Sequence, residues 1–313
     1  MTVSTRLNAR GHTFIDTRSL MEIRSLELRA KVVVQGFWSG IHRSPYHGFS
    51  AEFTEYRQYV PGDDTRYLDW RLLARSDRSY VKKFEDETNL RCHILLDQSR
   101  SMTFGSLDWT KADYAHTLAA TLGFFLFRQG DAVGLLSFDE QIRDYVPARN
   151  RPGHLRQIML SLEKPHAGKS TDISKPLRRI VELAGKPGLM VLISDLLAPP
   201  EDLESQLARL VASGHEVVVF RVLDPRELDF GFDEALLFHD VETDKDFFVD
   251  PLSVKSNYLR RFEEHSDVVR SICQKLGAEF IPVSTDRSLA RVLSDFLRQR
   301  QRRGKSIRRR ENL

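Results

Sequence analysis

Asp97, Ser99 and Ser101 stand at alternate positions in "LLDQSRSM", where a run of apolar residues stops. A second apolar run stops at Asp195 in "LISDLL", and Thr171 lies in "KPHAGKSTDISK" (164–175). Two carboxylates and three hydroxyls are hard oxygen donors. Such a set suits Mg2+ or Mn2+, whereas zinc favours imidazole and thiolate. Magnesium takes about six oxygens near 2.1 Å and usually keeps some waters among them. With few anionic ligands the ion retains positive charge, and a carboxylate from another molecule can complete its shell.

Plainer roles exist for the same residues. Asp97, Ser99 and Ser101 could cap a following helix, since Ser and Asp are favoured caps, and this is compatible with metal binding. Thr171 or Asp172 could cap a helix at 174–184, and Asp195 could satisfy backbone donors in a turn. Gly168-Lys169-Ser170-Thr171 has the form of a phosphate-loop ending, but Glu163 stands where that motif needs its first glycine. The segment before it, "LRQIMLSLEKPHA", reads as a helix and its exit rather than a strand, and a carboxylate at that corner repels phosphate. Nucleotide binding is therefore not expected. There is no HExxH, no paired cysteine near a histidine and no Gly-x-Ser-x-Gly elbow. No general base presents itself beside the oxygen donors, so the chain is read as a binding protein and not an enzyme.

The elements that must position these donors follow from periodicity. Apolar runs of strand length occur at 90–97, 131–138, 188–195, 214–222 and 278–283. They are continuous, as in strands buried on both faces. Between them lie amphipathic segments at 110–128, 154–163, 174–184, 200–213, 256–276 and 286–299. In the first of these Tyr114, Leu118, Leu122 and Leu126 recur every fourth residue. Gly185, Gly214 and Gly277 fall where helices should stop. This alternation predicts an α/β fold: a Rossmann-like, doubly wound, mostly parallel sheet with helices on both faces. In such sheets ligands bind outside the carboxyl ends of the strands, where the strand order reverses. Asp97 and Asp195 would both lie there.

Two regions break the rhythm. Residues 224–250 carry two apolar runs around "ETDKD", which predicts an inserted β-hairpin. Residues 1–89 form a separate N-terminal segment, with a helix near 17–34 and a block at 57–75 rich in Arg, Tyr, Trp and Asp. That block either docks by self-paired charges or offers a partner surface. The sheet domain is placed at 90–299, followed by a basic tail at 300–313 that is expected to be disordered.

The chain has 313 residues, a net charge of +3 and two distant cysteines, Cys92 and Cys273. Distant, unpaired cysteines, the lack of a signal-like start and the lack of a long apolar run predict a cytoplasmic protein with no membrane segment. Residues 298–313 hold eight Arg/Lys and one Glu, which leaves the rest of the chain at −4. Such a stretch could touch nucleic acid, but it lacks the aromatics of a base-reading module, so nucleic acid is not the expected partner.

"DQSRS" at 97–101, Thr171 in "STDIS" and Asp195 resemble the three parts of the metal-ion-dependent adhesion site (MIDAS) of von Willebrand factor A (vWA) domains. "GFSAEFTEYRQYVPGDDTRYLDWRLLARSDRSYVKKFEDE" followed by "ILLDQSRSM" resembles the DUF58 family, over roughly residues 35 to 295. The resemblance implies a bacterial or archaeal vWA-like protein that binds Mg2+ through Asp97, Ser99, Ser101, Thr171 and Asp195. It also implies a MoxR-type AAA+ ATPase, or its client, as partner. The chain departs from the pattern at Leu196, where adhesion sites often have glycine after the aspartate, and in lacking the N-terminal membrane helices of many DUF58 proteins. Two other readings stand beside this one: a metal-assisted phosphohydrolase at the same ion, and nucleic-acid binding through the basic tail.

Overall fold

Residues whose sequence neighbours are apolar on both sides can be buried on both faces of a sheet, and the continuous runs become such strands. The computed structural model describes residues 15–42, 55–58, 80–83, 90–164, 173–232, 236–240 and 245–311. By contacts the chain divides into two units, Met1–Gly40 with Leu90–Leu313, and Ile41–Asn89. In the second unit β1 (Glu55–Gln58) pairs antiparallel with β2 (Tyr80–Lys83). The rest of the Arg/Tyr/Trp/Asp block lies outside the described residues.

In the larger unit β3 (Arg91–Asp97), β4 (Ala132–Phe138), β6 (Leu189–Ser194), β7 (Glu216–Leu223) and β10 (Glu279–Ser284) run parallel. At one edge β5 (Ile142–Arg149) joins β4 antiparallel, with register shifts. The order β10-β7-β6-β3-β4-β5 places β3 and β6 side by side at the centre. After β3 the chain builds outward to β4 and β5; from β6 it builds the other way. This is the doubly wound arrangement expected of a vWA-like domain, with the reversal between β3 and β6. Strand β5 is absent from the sequence expectation. It is polar and contains Pro147, which an edge strand tolerates and an interior strand does not.

Helices α3 (Lys111–Arg128), α4 (His154–Leu162), α5 (Ser174–Ala184), α6 (Pro200–Ala212) and α8 (Pro251–Leu276) follow the amphipathic segments. One face of the sheet, through Leu95, Leu136, Met190, Leu192, Val217 and Val219, packs with buried residues of α5, α6 and α8. On the other face lies α9 (Leu289–Glu311), whose Phe296 meets Phe220 at 5.9 Å. The basic end, expected to be unstructured, continues α9 to Glu311; Arg, Gln and Lys favour helix, and no proline intervenes.

The N-terminal residues differ from expectation as well. Helix α1 spans Thr17–Met21 and α2 spans Leu26–His42. Both helices lie in the same unit as the sheet. Phe37 sets its ring edge-on to Phe125 of α3 at 5.9 Å, and Arg29 donates to Thr117 Oγ1 at 3.3 Å. A helix with an apolar stripe must cover another apolar surface, and local sequence does not say which. Beyond β7, the short helix α7 (Pro225–Asp229) precedes the expected hairpin, β8 (Leu236–Asp240) with β9 (Lys245–Val249). Cys92 and Cys273 are free and buried. Among the described residues no helix is long and apolar enough to cross a membrane.

Candidate functional site

Asp97 is the last residue of β3 in register with β4, opposite Phe138, and is 1% exposed. Its Oδ1 accepts from the Ser99 backbone N–H at 2.8 Å, and its Oδ2 accepts from Ser194 Oγ at 2.5 Å. Beyond it, Ser99 Oγ and Ser101 Oγ lie 3.0 Å apart. A 3-10 turn follows at Arg100–Thr103, and its N-cap residue Ser99 makes no side-chain capping bond. The three residues thus form one cluster of oxygens, and the capping role is not the one observed.

Asp195 follows β6 directly and is fully buried. Leu196 after it takes φ +56°, the left-handed region that favours glycine. Leu196 is the residue at which the chain departs from the glycine expected there, and its backbone adopts a conformation glycine would take without strain. What holds a leucine there is tertiary contact. Its side chain is buried, its N–H donates to Ser194 Oγ at 3.0 Å, and its carbonyl meets His265 Nε2 at 2.9 Å. Ser194 therefore joins the two loops: its hydroxyl accepts from Leu196 and donates to Asp97.

Three residues of the cluster escaped the sequence reasoning. Lys111, in the first turn of α3, is fully buried, and its Nζ donates to Asp195 Oδ2 at 2.8 Å and Glu227 Oε1 at 2.6 Å. Glu227 belongs to α7, where its other oxygen accepts from the Asp224 N–H at 2.8 Å in a capping box. Ser194 is the third. Faint signals existed: Lys111 puts a cation at a helix start, where the macrodipole disfavours it, and Ser194 interrupts an apolar run. Nothing local named their partners. Arg221 adds a second buried cation, donating through Nε to the Asp195 carbonyl at 3.2 Å and through Nη1 to Ser266 Oγ at 2.7 Å.

The electrostatics follow from this packing. Burial, and next the nearby charge of Asp195, push the Asp97 carboxyl up to about 6, against the opposing pull of its bonds to Ser194 and Ser99. Burial acts most strongly on Lys111 and would lower its pKa, but Asp195 and Glu227 together outweigh it and the net shift is upward. Lys111 is a charged ammonium. Burial raises the Glu227 carboxyl, with the Lys111 charge opposing.

The donor chemistry of Asp97, Ser99 and Ser101 fits a hard divalent ion, as one carboxylate and two converging hydroxyls. Asp195 fits less well, because Lys111 already neutralises it. Thr171 lies outside the described residues. Among the described residues there is no group of three or more His, Cys, Asp or Glu that could hold a metal; the cluster is built mainly of hydroxyls.

A doubly wound domain with an oxygen-rich cluster at its switch point is the class these observations define. Residues 55–270 match the family described as "Protein of unknown function DUF58", and the chain belongs to that family. It is 30% identical over 294 residues to the uncharacterized protein Rv1480 of Mycobacterium tuberculosis, covering 92% of this chain and 91% of that protein. It is also 26% identical over 147 residues to the uncharacterized protein YeaD of Bacillus subtilis, covering 47% of this chain and 34% of YeaD. Among solved structures, an aerotolerance-related membrane protein from Bacteroides fragilis is similar with a TM-score of 0.48 and 15% identity, covering 66% of this chain and 97% of that one. BatB from Bacteroides thetaiotaomicron gives 0.47 and 14%, covering 67% and 98%.

Proposed function

We propose that this protein is a non-enzymatic interaction module that binds a partner at the carboxyl end of β3 and β6. In this reading Asp97, Ser99 and Ser101 hold Mg2+ or Mn2+ with Thr171, and Asp195 contributes Oδ1, which also accepts from the Leu197 N–H at 3.4 Å, directly or through water. A Glu or Asp of the partner completes the metal shell. The partner is a MoxR-type AAA+ ATPase or its client, and the module acts as an adaptor in assembly. The observation that carries the reading is the convergence of the Asp97, Ser99 and Ser101 oxygens at the reversal of strand order, where open α/β sheets bind ligands. Catalysis is the weaker alternative because Lys111, Asp97 and Asp195 are all engaged in fixed contacts, which leaves none of these three poised to activate water.

Calorimetric titration of Mg2+ into the chelator-treated protein tests the metal. Wild type is expected to bind one equivalent, and Asp97→Ala, shown to be folded, is expected to lose binding at least tenfold. Binding to a purified MoxR-type ATPase should then require Mg2+ and fail in EDTA. Equal binding of that ATPase with and without metal would overturn the reading.

A further inference from the structure

Lys111 sits on the one carboxylate of the site that the third loop supplies. Its ammonium is out of water and held by Asp195 at 2.8 Å and Glu227 at 2.6 Å. Asp97 is tied through the Ser194 hydroxyl at 2.5 Å to the residue directly before Asp195, so the two carboxylates stand at adjacent strand ends. Three buried or nearly buried carboxylates, Asp97, Asp195 and Glu227, thus share one region. A second buried cation, Arg221, feels the charges of Asp195 and Glu227 but spends its hydrogen bonds on the Asp195 carbonyl and Ser266 and lies over the Phe262 ring at 5.1 Å, so Lys111 makes the direct contacts to the carboxylates. An uncompensated buried charge is strongly destabilising, so something positive must stand among these acids at all times.

We propose that Lys111 is a permanent internal cation of this site, a positioning residue that holds Asp195 and Glu227 in place and takes over part of the charge neutralisation a bound metal would supply. The exchangeable divalent ion is then held mainly by the first two loops. This has two consequences. The fold does not depend on metal, because the acids are compensated without it, so recognition can be switched by the ion while the domain stays folded. The lysine also repels the incoming ion, so it sets metal affinity below what the cluster would give without that buried cation. The second consequence rests on the metal-binding reading above; the first does not.

The test compares wild type with Lys111→Met, a replacement of similar length, in EDTA and in Mg2+. Melting temperature and calorimetric Mg2+ affinity are both read. Wild type should melt within a few degrees in either condition. Lys111→Met should melt roughly 10 °C lower in EDTA. Mg2+ should restore at least half of that loss, because binding to the folded state alone stabilises it. Its Mg2+ affinity should be about tenfold tighter than wild type. A purely structural salt bridge predicts the drop in melting temperature without rescue and without tighter binding, and that result overturns the proposal. If wild type binds no Mg2+ while Lys111→Met does, the metal-dependent interaction reading fails and the lysine's role stands. If neither binds, the metal-binding reading and the second consequence fail, whereas the first consequence stands if Lys111→Met still melts lower and falls if it does not. Should Lys111→Met not fold, Glu227→Gln serves in its place. Removing that acid leaves the lysine's charge less balanced and should weaken Mg2+ binding about threefold; unchanged affinity would overturn the proposal.

Discussion

The two ends of the central strands β3 and β6 solve the same problem differently. At the amino end the chains are close-packed and polar groups meet the backbone. Gly188 presses against β3 so tightly that a Cβ there would lie 2.3 Å from the Arg91 carbonyl oxygen. The Gly188 N–H donates to His215 Nδ1 at 3.2 Å, and the Leu90 N–H donates to Asp131 Oδ1 at 3.2 Å. At the carboxyl end the loops diverge to opposite sides, and the gap is filled by Asp97, Asp195 and Lys111, all withdrawn from water. Burying charge is costly unless it is paired, so this end carries an energetic burden that the other avoids.

The largest expected effect strikes the carboxyl end. Asp195→Ala leaves Lys111 with only Glu227 and should destabilise by about 3–5 kcal/mol in urea unfolding. A loss under 1 kcal/mol would mean the buried charges are not the burden described. At the amino end, Gly188→Ala should cost about 2–3 kcal/mol through overpacking against Arg91. Its Mg2+ affinity should stay at the wild-type value; a change would show that the two ends are coupled.

A smaller effect should appear with pH. Burial, then the charges of His215 and Arg91, pull His93 of β3 down to about 4, below its ordinary 6.5. In the unfolded chain the imidazole takes its proton first, so stability is full above about 6.5 and falls as pH drops toward 4. The loss should be about 3 kcal/mol, and His93→Leu should abolish this part of the pH profile. The smallest effect belongs to neither end. Arg270→Ala breaks an exposed pair with Asp267 and should change stability by less than about 0.5 kcal/mol. These two values bracket what titration and surface charge contribute beside buried pairing.

Some of this could be read along the chain. The five parallel strands lie within two residues of the apolar runs at each end, because burial on both faces leaves a continuous signature. Helix ends at Gly185, Gly214 and Gly277 coincide with positive φ values of 66°, 81° and 68°. Strand β5 left no such mark: half-exposed and polar, it takes its pairing from β4. The covering of α3 by α2 was equally silent, since an apolar stripe does not name its partner. Lys111 is 84 residues from Asp195 and 116 from Glu227, and no spacing rule spans such separations.

By itself, then, the sequence determined the doubly wound class and put Asp97, Ser99, Ser101 and Asp195 at strand ends, since strand periodicity and turn position are local properties. Only the tertiary structure decided that Ser194 joins the two loops, that Leu196 is held in a turn glycine would prefer, and that Lys111 neutralises Asp195. Those outcomes depend on which distant groups share a buried space, and there the strength of a charge is set by what has been excluded from around it.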